Sequence, residues 1–164
     1  CGLHIHVNRD TFGETREEQD ECISRVLYFV EHHWAELLKF SRRTEYTMNK
    51  WAARYGYKHD PKAILDSAKK GCNGRYACVN ITNWSTIEFR MFKGTLKVNT
   101  IIATLELVNK ICDLALYLTD EEIGGISWTS FVKSLNNDDH GELITYLKER
   151  QLYINDPIDF KEDE

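Results

Sequence analysis

Two short stretches of alternation constrain this chain more than any other feature. In residues 1–8, Leu3, Ile5 and Val7 fall on one side, and His4, His6 and Asn8 fall on the other. That is the period of two expected of a half-buried strand. Residues 86–92 repeat the pattern. Ile87, Phe89 and Met91 read as core, whereas Thr86, Glu88, Arg90 and Phe92 share the opposite face. Each strand therefore carries ionisable side chains on the face turned away from its apolar set.

The segments between and after these strands read mainly as helices. A polar loop covers 9–14, and Thr15 with Glu18 forms a capping box. Ile23, Leu27, Val30, Trp34, Leu37 and Leu38 then recur at helical spacing, predicting one long helix to about Phe40. Glu45 to Tyr55 reads as a short helix with Trp51 packed inward. Asp60 as N-cap, Pro61 in the first turn and Gly71 at the end frame a further helix. Arg75–Thr82 and Thr86–Phe92 flank Asn83-Trp84-Ser85 and predict an antiparallel hairpin. A helix is expected from about Asn99 to Leu118, its buried stripe marked by Ile101, Leu105, Val108, Cys112 and Ala115. Ser127 caps a short helix through Leu135, and a last helix spans His140 to Arg150. The expected fold is α+β, an antiparallel sheet covered on one face by helices. One domain is expected over 1–155, followed by an acidic tail at 156–164. Three strands are few for a closed cup, and the exposed strand edges suit pairing with a second chain or copy.

Composition removes several function classes. The net charge is −5 and no basic stripe exists, so the electrostatic footprint of a nucleic-acid binder is missing. No run approaches the roughly 20 apolar residues of a membrane span. The five cysteines are odd in number and form no CxxC pair. Cys22 and Cys112 fall on apolar helix stripes, so reduced core thiols in a cytoplasmic protein are expected. Cys1-Gly2 matches the start of a processed lipoprotein. A strand pattern that begins at once argues instead for an upstream segment absent from this sequence.

Four residues stand out chemically. His4 and His6 put two imidazoles on one strand face, roughly 7 Å apart at Cα. That spacing suits two ligands of one metal, or a metal ligand beside a phosphate donor; the plain alternative is a pair of solvent-facing strand residues. Glu88 and Arg90 form a second same-face pair. A carboxylate suits a hard divalent ion and a guanidinium suits a phosphate or carboxylate, and the plain alternative is a surface salt bridge. Met48 and Met91 read as core, and His32-His33 lack a second ligand pair nearby. Arg42-Arg43 follow a helix end, where cations complement the helix dipole, and one of them is expected to face a ligand.

Cys1-Gly-Leu-His-Ile-His-Val7, Ser41-Arg-Arg43, Arg75-Tyr-Ala-Cys-Val-Asn80 and Thr86-Ile-Glu-Phe-Arg-Met-Phe-Lys-Gly-Thr-Leu96 together resemble the amidoligase family in letters, order and spacing. The resemblance covers about residues 1–118. It implies a glutamine synthetase-like catalytic domain, related in fold to glutamate–cysteine ligase, and an ATP-dependent carboxylate–amine ligase using Mg²⁺ or Mn²⁺. It further implies Glu88 and the His4/His6 strand as metal ligands, with His6 also facing nucleotide phosphates. Arg90 would stabilise the transferring phosphoryl group. Arg43, with Arg42, would clamp a phosphate or substrate carboxylate, and Arg75 and Asn80 would line the same cup. The family often carries histidine where this chain has Phe92 or Lys93. Enzymes of this fold also draw metal-binding glutamates from strands preceding the HxH strand, so an upstream segment or second chain is expected to complete the site. The expected partners are small-molecule or peptide carboxylates and amines. Two other readings stay open: a non-catalytic remnant that binds an amino acid or nucleotide, and a metal-dependent hydrolase using His4, His6 and Glu88.

Overall fold

A computed structural model describes residues 1–71 and 74–154, so the acidic tail and Cys72 lie outside the described residues. Among those described, three antiparallel strands and eight helices form an α+β fold. The sheet comprises β1 (Gly2–Asn8), β2 (Val79–Asn80) and β3 (Thr86–Lys93), in the order β1-β3-β2. One cluster of buried side chains gathers the core, with Ile5, Val79, Ile87 and Phe89 contributed by the sheet.

The predicted hairpin is shorter on its first side than the sequence suggests. Gly74–Tyr76 form a 3-10 helical turn, and only Val79–Asn80 pair with β3. A parallel bridge from Ala53 to Ala77 takes up part of the remaining backbone. Arg9, buried after β1, donates to the carbonyls of Ile81 (2.6 Å) and Asn83 (3.2 Å) and so braces the loop between β2 and β3.

The register positions the chemistry. Glu88 of β3 pairs with His6 of β1 on one side and Asn80 of β2 on the other. The next row, Ile5, Phe89 and Val79, is buried. The register then shifts: Leu3 pairs with Phe92 although Ile5 pairs with Phe89. β3 spends one more residue than β1 over this interval, which is a β-bulge. Strict alternation ends there. Phe92, expected beside Glu88 and Arg90, is instead buried, with its ring edge-on to Phe40 at 5.9 Å.

The first helical region has the predicted capping box, with Thr15 accepting from the Glu18 amide and Glu18 accepting from the Thr15 amide. It is two helices rather than one: α1 (Arg16–His32) and α2 (Trp34–Ser41), separated by His33 at φ −108°, ψ 32°. Helix α3 (Glu45–Trp51) ends with Trp51 47% exposed, not packed inward. Helix α4 (Pro61–Lys70) starts on the Asp60 side-chain cap as expected.

Helix α5 (Val98–Tyr117) buries a face centred on Thr100, Ala103, Thr104, Leu107 and Ile111, leaving the predicted stripe residue Leu105 exposed. Val108, Cys112 and Ala115 of the predicted stripe are buried, so the expected face is rotated only at its N-terminal end, where apolar residues surround the helix and periodicity alone offers two adjacent stripes. Packing against α1 and α8 selects between them. Two short helices, α6 (Asp120–Gly124) and α7 (Trp128–Lys133), lead to α8 (Asn137–Glu149), which begins three residues before its predicted start. Among the described residues no helix is long and apolar enough to cross a membrane.

Candidate active site

Glu88 is the centre of a polar network on the outer face of the sheet. Its side chain is only 8% exposed. Oε2 accepts from the Asn80 amide at 3.0 Å. Oε1 accepts from Arg90 Nη1 at 3.0 Å and faces His4 Nδ1 at 3.0 Å, with His6 Nε2 at 3.6 Å. Asn80 is itself fixed, its Oδ1 accepting from the Thr82 amide (3.0 Å) and hydroxyl (2.8 Å). The second nitrogen of His6 meets the Thr86 hydroxyl at 3.0 Å. Five residues from three strands or their edges thus converge because the register puts His6, Glu88 and Asn80 in one row.

The electrostatics follow from this cage. Burial pushes the Glu88 carboxyl up, but the Asn80 hydrogen bond, Arg90 and both imidazoles together outweigh it and hold the carboxyl below its usual range. His4 moves down, first through burial and then through Arg90, against the pull of Glu88. A neutral His4 then donates from Nδ1 to Glu88, leaving Nε2 as its proton-accepting nitrogen.

Arg43 reaches the same region from just beyond α2. Its Nη2 donates to the Phe92 carbonyl at 3.3 Å. A Cβ on Gly2 would lie 2.6 Å from Arg43 Nη2 and 2.8 Å from His4 Nε2, so a glycine is what lets both groups lie against β1. Burial, then the like charge of Arg90, lowers the proton affinity of Arg43. The Nε atoms of Arg43 and Arg90 are buried without a hydrogen-bond partner among the described residues. Two cations are therefore held near one another, and among the described residues Arg90 is the one paired with a carboxylate there.

The other predicted residues divide. Asn80 belongs to the network as expected. Arg75 stands at the rim: it donates to the Tyr76 hydroxyl at 3.0 Å and lies over the Tyr76 ring at 5.1 Å. Arg42 is turned elsewhere. In left-handed backbone (φ 61°), it donates to the Lys93 carbonyl at 2.6 Å, at the far end of β3. Four participants were not singled out by the sequence reading: Gly2, Thr82, Thr86 and Tyr76. Tyr76 follows Arg75 directly, and Thr86 shares the alternating face of Glu88, so both signals were present. The close approach at Gly2 has no local signature.

The donor set fits a divalent ion only in part. Among the described residues no group of three or more His, Cys, Asp or Glu side chains could hold a metal ion by itself. Glu88 offers a single ionised carboxylate flanked by two imidazoles, which suits an ion such as Mg²⁺ that takes its other ligands from phosphate oxygens and water. A three-ligand zinc site of the His2Glu kind would need His4, His6 and Glu88 all on one ion, and no such group forms among the described residues. No family model, no curated protein and no solved structure matches this chain.

Proposed function

We propose that the chain supplies one wall of the active site of an ATP-dependent carboxylate–amine ligase on a glutamine synthetase-like catalytic domain. The observation that carries this reading is the ionised Glu88 carboxylate, held between Asn80, Arg90 and His4, with a second guanidinium, that of Arg43, on the same side of β1 as His4. The segments bearing these residues are those that resemble the amidoligase family.

In such a reaction the terminal phosphoryl group of ATP passes to a substrate carboxylate. The amine then attacks the acyl carbon, its proton is lost, and the carbon–oxygen bond to phosphate breaks to leave the amide and inorganic phosphate. Phosphoryl transfer asks a protein mainly for positioning and positive charge. Arg90 and Arg43 supply that charge from side chains already desolvated, where it acts most strongly. Asn80 and Arg90 fix the orientation of Glu88. Glu88, with His4 and His6 beside it, would hold Mg²⁺ or Mn²⁺, which when bound neutralises phosphate charge. On this reading the chain works in the cytoplasm with small-molecule or peptide substrates, and an upstream segment or a further chain adds ligands to the ion.

ADP release measured with ATP, Mg²⁺ and pooled carboxylates and amines tests the assignment. Glu88→Gln should lower turnover about a hundredfold, the scale of removing one preorganised charge partner. Unchanged turnover in that variant would remove Glu88 from the mechanism. Nucleotide binding without ADP release would indicate a binding remnant, and nucleotide-independent hydrolysis supported by Zn²⁺ would indicate a hydrolase.

A further inference from the structure

Beside the Glu88 network two aromatic side chains stand open to solvent. Trp51 is 47% exposed and Tyr76 38% exposed. Their rings meet edge to face at 5.9 Å. The backbone fixes this pairing: the Ala53 amide donates to the Tyr76 carbonyl and the Cys78 amide to the Ala53 carbonyl, both at 2.8 Å. The end of α3 and the 3-10 turn at Gly74–Tyr76 are thereby tied together before any ligand arrives.

The pair is continuous with the anion-handling groups. Arg90 lies over the Tyr76 ring at 5.8 Å while its Nη1 holds Glu88. Two successive contacts thus lead from the indole to the guanidinium assigned to the phosphoryl group. A ligand spanning them needs a flat ring at one end and anionic oxygens at the other. Aromatic amino acids and nucleotides both have that combination, but Lys50 over Trp51 and Arg75 and Arg90 over Tyr76 gather three cations here, which suits a polyphosphate better than a single carboxylate. Lys50 Nζ lies over the Trp51 ring at 5.1 Å and two guanidiniums cover Tyr76, so the half-exposed indole is the ring that offers surface to a base, which stacks with little demand for hydrogen bonding.

We infer that Trp51 and Tyr76 form a stacking platform for the purine base of the nucleotide whose phosphates lie at Arg90. This assignment rests on the nucleotide-dependent reading above and adds the position of the base, with Trp51 as its principal contact.

Calorimetric titration of the whole chain with Mg²⁺-ATP and, separately, with Mg²⁺-tripolyphosphate tests it. The wild-type chain should bind ATP roughly tenfold or more tightly than tripolyphosphate, the gain expected of one base–aromatic stack. Trp51→Ala should lose that gain and bind both alike, and Trp51→Phe should retain most of it. Equal binding of the two probes by the wild-type chain would overturn the platform while leaving the nucleotide reading intact. That comparison needs no variant and so survives any folding defect in Trp51→Ala. Binding of neither probe would overturn both.

Discussion

A single missing methyl group at residue 2 has consequences for the whole site. The atoms that a Gly2 Cβ would meet, Arg43 Nη2 and His4 Nε2, are the ends of flexible side chains. Gly2→Ala should therefore displace chemistry rather than fold. Thermal unfolding should change by no more than about 0.5 kcal/mol, as for ordinary surface substitutions. Turnover should fall tenfold or more, up to roughly the hundredfold cost of an ångström of misplacement. A variant that unfolds easily, or one that turns over normally, would contradict the role given to this position. The alternation of β1 gave His4 and His6 directly, because strand side chains have no choice of face once one face is buried. Nothing local marked Gly2, since the groups it accommodates come from His4 and from Arg43, over forty residues away.

At the scale of elements, the departures from periodicity sit where two elements compete for one residue. His33 interrupts an apolar stripe that otherwise runs unbroken from Ile23 to Leu37. Its ring is 3% exposed as a residue and packs against Phe29 at 4.5 Å and Trp128 at 5.8 Å. Burial first, and then the neighbouring His32, draws its pKa down to about 4. The unfolded chain titrates near 6.5, so it binds a proton that the folded chain refuses between these values. The stabilisation is complete above about pH 6.5 and is lost as pH falls towards 4. His33→Phe should flatten that stretch of the stability profile by up to roughly 3 kcal/mol. Urea midpoints at pH 7 and pH 4.5 measure this, and parallel shifts in the two proteins would exclude His33 as the source. The bulge in β3 is the strand counterpart. By inserting one residue opposite β1, it leaves Glu88 and Arg90 on the outer face and sends Phe92 into the core against Phe40.

At the scale of the molecule, segments distant in sequence are locked by a few buried polar ties. Glu31 of α1, with its side chain 1% exposed, accepts from Arg54 Nε (2.8 Å) and Nη2 (2.7 Å) and from the Tyr55 amide (2.7 Å). Tyr55 in turn donates its hydroxyl to the Val79 carbonyl at 2.9 Å. This chain of contacts joins α1 to the segment after α3 and then to β2, the strand that presents Asn80. Glu31→Gln should cost about 3 kcal/mol, since it leaves a guanidinium without its buried countercharge. It should also weaken nucleotide binding by loosening the segment that carries Trp51. Urea unfolding together with the Mg²⁺-ATP titration measures both effects, and loss of stability without any loss of affinity would separate the tie from the platform.

The sequence by itself determined the α+β character, the Thr15–Glu18 capping box, the Asp60 and Ser127 caps, and the shared faces of His4 with His6 and of Glu88 with Arg90. Each of these follows from periodicity or from chemistry within a few residues. The tertiary structure alone decided that the register joins the His4/His6 and Glu88/Arg90 pairs with Asn80, that Leu105 of α5 is exposed, that Trp51 and Tyr76 meet at the surface, and that Phe92 turns inward. Contacts between segments remote in sequence, which no local pattern encodes, made these choices.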